Sequence, residues 1–343
     1  MKLTQFKAAA IQSSPVFLDA SATVLKATDH INEAARNGAK LVVFPEVYVP
    51  GYPYWNWITD PITGSEWFEK LVLSSIFVPG PEIEVVCAAA AANKTYVVIG
   101  VNERSPISLG VLYNTLVFID SKGQIIGKHR KLVPTWAEKL TWTGGDGSSL
   151  KVYDTDLGPL GGLACGENTN TLARFSLLAQ GELIHTACYI SLPVAPKGYD
   201  MAEAIKLRAM SHSFEGKVFT IVATSTVSEE IIREMEKIRP DARELLERKS
   251  SAYSGIIGPD GRSVGDELID DEGIVYADID LHKCIQPKQM HDIVGHYNRF
   301  DIFSLHLNQN AQSPLTFTEP IQPNLNDLAD ADTNPALNIT ENK

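Results

Sequence analysis

The 343-residue chain predicts an α/β fold with mixed sheets and helices on their outer faces. Two observations carry this. Short β-branched or apolar runs alternate with segments whose apolar residues recur at helical spacing, the pattern of strands joined by helical crossovers. Hairpin signals interrupt that alternation at Ser121-Lys122-Gly123 and at Ile256-Ile257-Gly258-Pro259-Asp260-Gly261, so some neighbouring strands run antiparallel. In order, residues 6–12 read as a strand and 20–37 as an amphipathic helix with Gly38 as its C-terminal stop. Residues 41–44 read as a buried strand, 81–93 as a helix and 96–101 as a β-branched strand. Residues 112–120 and 124–128 form the two arms of the first hairpin. Residues 160–164 read as a strand, 172–180 as a helix, and 183–190, 201–215 and 218–224 as a strand–helix–strand unit. Residues 228–248 are strongly charged and helical in pattern, a solvated face. No linker divides the first 300 residues, and apolar periodicity stops near Gln309, which predicts one domain over 1–308 and a polar, disordered tail over 309–343.

Three segments carry chemistry. In Gly161-Gly162-Leu163-Ala164-Cys165-Gly166-Glu167-Asn168 a lone cysteine stands between a short strand and a helix start. Free N–H groups at such a start favour a thiolate, the attacking form of cysteine. A small buried core cysteine fits the same context. Lys40-Leu41-Val42-Val43-Phe44-Pro45-Glu46 is an apolar run ending in a carboxylate, and His129-Arg130-Lys131-Leu132-Val133-Pro134-Thr135 is a basic cluster after a strand. Glu46 alone would serve as a turn cap and Lys131 alone as a surface charge. Together a glutamate to take a proton, a lysine to stabilise developing negative charge and a cysteine to attack make a complete nucleophilic set.

In this order the segments resemble the nitrilase branch of the carbon–nitrogen hydrolase superfamily, from Phe6 to about Leu307. Val43-Phe44-Pro45-Glu46 is similar to its catalytic-glutamate motif, Lys131 matches its lysine and Cys165 its nucleophile. Glu138, within Pro134-Thr135-Trp136-Ala137-Glu138-Lys139, matches a second glutamate often counted with the triad. Pro50-Gly51-Tyr52-Pro53-Tyr54-Trp55, Trp142-Thr143-Gly144-Gly145-Asp146-Gly147 and Gly295-His296-Tyr297-Asn298-Arg299 resemble true nitrilases more than amidases. Gly166, where many nitrilases carry Trp, and Phe300, where Pro often follows the arginine, are departures that bear on substrate preference. The resemblance implies a four-layer α-β-β-α sandwich with two mixed sheets, and hydrolysis of a nitrile to an acid and ammonia through a cysteine-linked thioimidate and thioester. Tyr52, Trp142 and Asn168 are its candidate substrate contacts, with Tyr54, Trp55, Trp57 and Trp136 near the same motifs. An amidase, a cyanide-hydrolysing member and an inactive assembly protein on the same fold are the alternatives. The resemblance also implies a homodimer or a higher homo-oligomer, spirals included.

Composition narrows the partners. Acidic residues outnumber basic ones by 42 to 30, a net charge of −12, which disfavours nucleic acid and anionic membranes. The four cysteines, Cys87, Cys165, Cys188 and Cys284, form no CxxC pair. With no secretory signal or membrane span at the N-terminus, they predict a reducing, cytoplasmic setting. Cys87 and Cys188 read as packing residues. The eight histidines show no HExxH pattern, and neither a metal nor another cofactor is expected.

Overall fold

A computed structural model describes residues 3–315. In its first half β1 (Gln5–Gln12) leads to α1 (Ala20–Arg36) and β2 (Ala39–Val43). The carboxylate of Asp19 accepts the Ala22 N–H at the start of α1, and Gly38, at φ +88°, ends it in the left-handed conformation that glycine adopts without strain. The chain continues through α2 (Trp55–Ile58), α3 (Ser65–Ser74), α4 (Pro81–Asn93), β3 (Tyr96–Arg104), β4 (Leu112–Ile119) and β5 (Ile125–Arg130). The second half comprises β6 (Tyr153–Thr155), β7 (Gly158–Ala164), α5 (Thr171–Ala179), β8 (Ile184–Tyr189), α6 (Met201–Gly216) and β9 (Phe219–Thr224). It ends with α7 (Glu229–Glu236), α8 (Ala242–Leu246), β10 (Tyr253–Ile257), β11 (Leu268–Ile269), β12 (Gly273–Asp280) and α9 (Ile285–Met290).

The strands form two six-stranded sheets, ordered β12-β1-β2-β3-β4-β5 and β11-β10-β9-β8-β7-β6. Both are mixed. β1, β2 and β3 are parallel, as are β7, β8 and β9, while their flanking partners are antiparallel. Period-two alternation places one face of each sheet against the other. Ala8, Ala10, Leu41, Val43, Val98 and Phe118 of the first sheet pack with Leu160, Ile184, Cys188, Phe219 and Ile221 of the second. The opposite face of the first sheet, with Ala9, Ile11, Val42 and Ile99, is covered by Val24, Ala27 and Ile31 of α1 and Ile83 and Val86 of α4. Behind the second sheet, Ala187, Tyr189 and Val222 meet Met201, Ile205 and Ala209 of α6. This is the α-β-β-α sandwich that the resemblance implied.

Three details differ from the expectation. Residues 228–248 do not form one solvated helix: the chain breaks around Pro240 into α7 and α8. Ile231, Met235 and Leu246 on these helices are buried with Trp55 and Trp67. β12, unanticipated, pairs with β1 along its whole length and closes one edge of the first sheet. The third difference, the effect of the helix start after Cys165 on its thiol, belongs to the candidate active site. Among the described residues no helix is long and apolar enough to cross a membrane. Of the expected tail over 309–343, residues 316–343 lie outside the described residues.

Candidate active site

Each of the three motifs lies just beyond the C-terminal end of a strand. Glu46 follows β2, Lys131 follows β5 and Cys165 follows β7. The two facing sheets thereby bring residues far apart in sequence into one buried cluster, where Glu46, Lys131 and Glu138 are no more than 1 % exposed and Cys165 is 6 % exposed.

Lys131 is the hub. Its Nζ donates to Glu46 Oε1 at 2.8 Å and to Glu138 Oε2 at 2.6 Å. Burial opposes the ammonium charge, but the Glu138 and Glu46 carboxylates outweigh it and hold Lys131 protonated, well above the usual lysine range. Asn114 fixes the hub from both sides: its backbone carbonyl accepts the Lys131 N–H, and its side-chain amide donates to Glu46 Oε1 at 2.6 Å. Sequence reasoning missed Asn114, which sits within an ordinary strand. Both oxygens of Glu138 are hydrogen-bonded. Oε1 accepts from Tyr52 OH at 3.0 Å, and Oε2 also accepts the Thr135 N–H at 2.7 Å across a short 3-10 turn.

Glu46 differs in that its Oε2 is buried with no hydrogen-bond partner among the described residues. Burial raises its carboxyl and the nearby Glu138 adds to this, against the attraction of Lys131, leaving it at about 7. A carboxyl poised there can both take and return a proton near neutrality.

Cys165 occupies φ +49°, a left-handed conformation uncommon for a side chain larger than hydrogen. Glu167 braces the turn from below, accepting the N–H groups of Ala164 and Leu132 at 2.9 and 2.7 Å and pairing with His129 at 3.0 Å. It therefore ties the cysteine turn to the segment that bears Lys131. The sequence expectation of a helix start that lowers the thiol's pKa is not met. Cys165 opens a five-residue 3-10 turn, and α5 begins only at Thr171. Burial, then the Glu46 charge, push the thiol well above its ordinary range, with Lys131 opposing. The resting group is a thiol, so attack requires a base.

The expected substrate contacts fare differently. Tyr52 and Trp142 meet with tilted rings at 5.6 Å between ring centres near Glu138, but both polar ends are engaged. The Tyr52 hydroxyl donates to Glu138 and accepts from Trp57 Nε1, and Trp142 Nε1 donates to Asn102. The Asn168 amide is turned to the backbone oxygens of Leu163 and Cys165 and to His185. Tyr54 donates to the Ser191 carbonyl, and Trp55 is packed against Phe17 and Trp67. Trp57 and the exposed Trp136 meet edge to face. Tyr189, which sequence reasoning left unassigned, packs with Cys165, and its buried hydroxyl has no hydrogen-bond partner among the described residues.

The family profile of carbon–nitrogen hydrolases matches residues 7–289. An aliphatic nitrilase of Rhodococcus rhodochrous is 38% identical over 316 residues, 90% of this chain and 84% of that protein. A bifunctional nitrilase/nitrile hydratase of Nicotiana tabacum is 36% identical over 326 residues, 91% of this chain and 88% of its own length. Among solved structures, Nit3 of Saccharomyces cerevisiae, a member of branch 10 of the nitrilase superfamily, aligns with a TM-score of 0.66 at 20% identity. That alignment covers 84% of this chain and 95% of the yeast chain, and at this identity it speaks for the fold alone.

Proposed function

The chain belongs to the carbon–nitrogen hydrolase family, and from that premise we propose that it is a nitrilase, hydrolysing an organic nitrile to its carboxylic acid and ammonia. The carrying observation is the buried ammonium of Lys131, held between Glu46 and Glu138 in electrostatic reach of the Cys165 thiol. Glu46 takes the thiol proton, and the sulfur adds to the nitrile carbon. The nitrogen gains charge as the C≡N bond opens, and Lys131 stabilises it, a contribution of about 3 kcal/mol by analogy with an oxyanion-hole donor. The proton returns to that nitrogen, giving a thioimidate. Water, deprotonated by Glu46, adds to the thioimidate carbon to form a tetrahedral adduct. Expulsion of ammonia leaves a thioester, and a second water releases the acid and restores the thiol. Expulsion of the thiolate from the same adduct releases an amide instead, so a minor amide product is expected.

Glu138 serves as support for Lys131, because both its oxygens are already held by donors from Tyr52, Lys131 and Thr135. Asn168 serves the cysteine turn and not the substrate. Tyr52 and Trp142 wall the pocket, and the Tyr189 hydroxyl is the free donor best suited to meet substrate. The reading is tested by a panel of about a dozen aliphatic, dinitrile, arylacetonitrile and aromatic nitriles, and the matching amides, assayed for ammonia. Release from nitriles that vanishes in Cys165→Ala is expected; release from amides alone would replace the nitrilase reading with an amidase.

The unit that acts is a homo-oligomer built from single hydrolase domains over 1–308. Exposed Leu172 on α5 and Leu207 and Phe214 on α6 support this. The four free thiols support a reducing, cytoplasmic setting.

A further inference from the structure

Behind the cysteine turn lies a second set of buried titratable groups that the reaction does not consume. Glu182 lies two residues before β8, His185 sits on β8 and His212 on α6, and none is more than 1 % exposed. Their hydrogen bonds determine where the protons are. The Asn168 amide nitrogen donates to the carbonyls of Leu163 at 3.3 Å and Cys165 at 3.1 Å, groups that only accept. Its oxygen therefore faces His185 Nε2, at 2.8 Å, and that nitrogen carries a proton. His185 Nδ1 lies 2.8 Å from Glu182 Oε1. Burial alone would raise the Glu182 carboxyl, but His185 and His212 outweigh it and bring it down to about 2. An ionised carboxylate only accepts, so Nδ1 carries a proton too. His185 is an imidazolium paired with a carboxylate. His212 donates its Nε2 proton to Glu182 Oε2 at 2.9 Å, and its Nδ1 has no partner among the described residues. Burial, then the neighbouring His185 charge, lower His212 to about 4, so it is the neutral member.

We propose that the Glu182–His185 ion pair positions the nucleophile: the imidazolium clamps the Asn168 oxygen, and Asn168 ties the Cys165 carbonyl to the end of β7. This rests on the reading of Cys165 as the nucleophile. The clamp holds Cys165 in its left-handed conformation at φ +49°, which sets the direction of the thiol. Glu182, His185 and Asn168 are positioning residues, since none of them reaches the reacting atoms. The same trio offers residue types that bind metals. Both His185 nitrogens are spent as donors in this arrangement, however, and leave no lone pair for an ion.

The test uses the full-length protein, with His185→Gln and Asn168→Leu made singly and together. Mass spectrometry after rapid mixing with the best nitrile gives both the fraction of Cys165 that becomes modified and the rate at which it does so. A merely structural role would lower the modified fraction and the melting temperature but leave the rate per competent thiol unchanged. Positioning predicts that this rate falls about a hundredfold in each variant, as for a nucleophile displaced by about 1 Å. KM should change less than about threefold, and the double variant should lose little beyond either single one. An unchanged rate per competent thiol, or fully additive losses, overturns the proposal. Should the variants fail to fold, nitrogen-15 spectra of histidine-labelled wild-type protein decide. Apart from the signal of His129, which is itself buried beside Glu167, one buried histidine protonated on both nitrogens at pH 7 beside one neutral histidine is expected; two neutral rings, or stoichiometric zinc by elemental analysis, overturn it. Failure of the readings it rests on is separate: ammonia release that survives Cys165→Ala would remove the nucleophile, and release from amides alone would remove the nitrilase.

Discussion

Glu46 has one carboxylate oxygen held by Lys131 and Asn114 and the other bare. With its carboxyl at about 7, the base form disappears as pH falls through neutrality, so kcat/KM should decline below about pH 7. Asn114→Leu removes a hydrogen bond that favours the ionised form, which should move this acid limb to higher pH by about one pH unit. An acid limb unmoved in that variant would mean that another group is titrating. The effect on folding has the opposite sense. A carboxyl raised in the folded state contributes stability that is fully present below its unfolded value of 4.5 and is lost as pH rises through about 7. Glu138 accepts from Tyr52, Lys131 and Thr135, and Glu138→Gln puts an amide donor against at least one of those donors. Turnover should drop at least about a hundredfold, and intact-protein mass spectrometry after brief mixing with nitrile should find Cys165 unmodified. Accumulated thioimidate or thioester would instead make Glu138 a base that acts after attack. That Glu46, Lys131, Glu138 and Cys165 belong together was legible because each lies in a short motif. The direction of the thiol's ionisation was not, because it depends on burial and on carboxylates that the sequence places more than twenty residues away.

At the scale of elements, β7 explains why the motif is so rich in glycine. Gly161 and Gly162 lie within the strand, as the sequence reading of 160–164 expected, where glycine marks close backbone approach. A Cβ on Gly162 would stand 2.1 Å from Thr186 Oγ1, and one on Gly161 2.2 Å from Glu182 Oε1. The absent side chains admit β8 and the Glu182 carboxylate close to the strand that carries Cys165. Gly162→Ala should therefore cost about 1–3 kcal/mol through forced displacement of β8, measured as a lower urea midpoint. Wild-type stability in that variant would mean that Thr186 can turn aside. Most elements were visible as periodicity: the predicted 81–93 helix coincides with α4, and the hairpin at 121–123 joins β4 to β5. β12 was missed although Val275, Ala277 and Ile279 alternate inward, because its partner β1 lies at the other end of the chain. The Glu182–His185–His212 cluster was invisible for a related reason: His212 on α6 meets the Glu182–His185 segment only in the fold.

Across the whole molecule, the sheets spend their apolar faces on each other and on the helices, which leaves the outer faces of α5 and α6 to account for. Leu172, Leu207 and Phe214 are each more than half exposed, on a surface where charged residues would ordinarily stand. Close by, Leu172 and Phe175 line an apolar groove with Phe300, Phe303 and Leu305. If a second copy of the chain covers α5 and α6, the attraction is hydrophobic, while the net charge of −12 on each copy opposes it. The two contributions respond to salt in opposite ways. Added salt screens the repulsion, with a Debye length of about 10 Å at 0.1 M and about 3 Å at 1 M, and leaves apolar burial intact. Association should therefore hold or tighten as sodium chloride is raised, whereas an interface built on ion pairs would loosen. Leu207→Glu and Phe214→Glu should each weaken it, because a carboxylate buried at an interface without a partner costs several kcal/mol, and neither change touches the inner face of α6. Light scattering across salt concentrations, on wild type and both variants, reads this directly. A monomeric mass for the wild type at every salt concentration would refute the oligomer, and unchanged assembly in both variants would move the interface elsewhere.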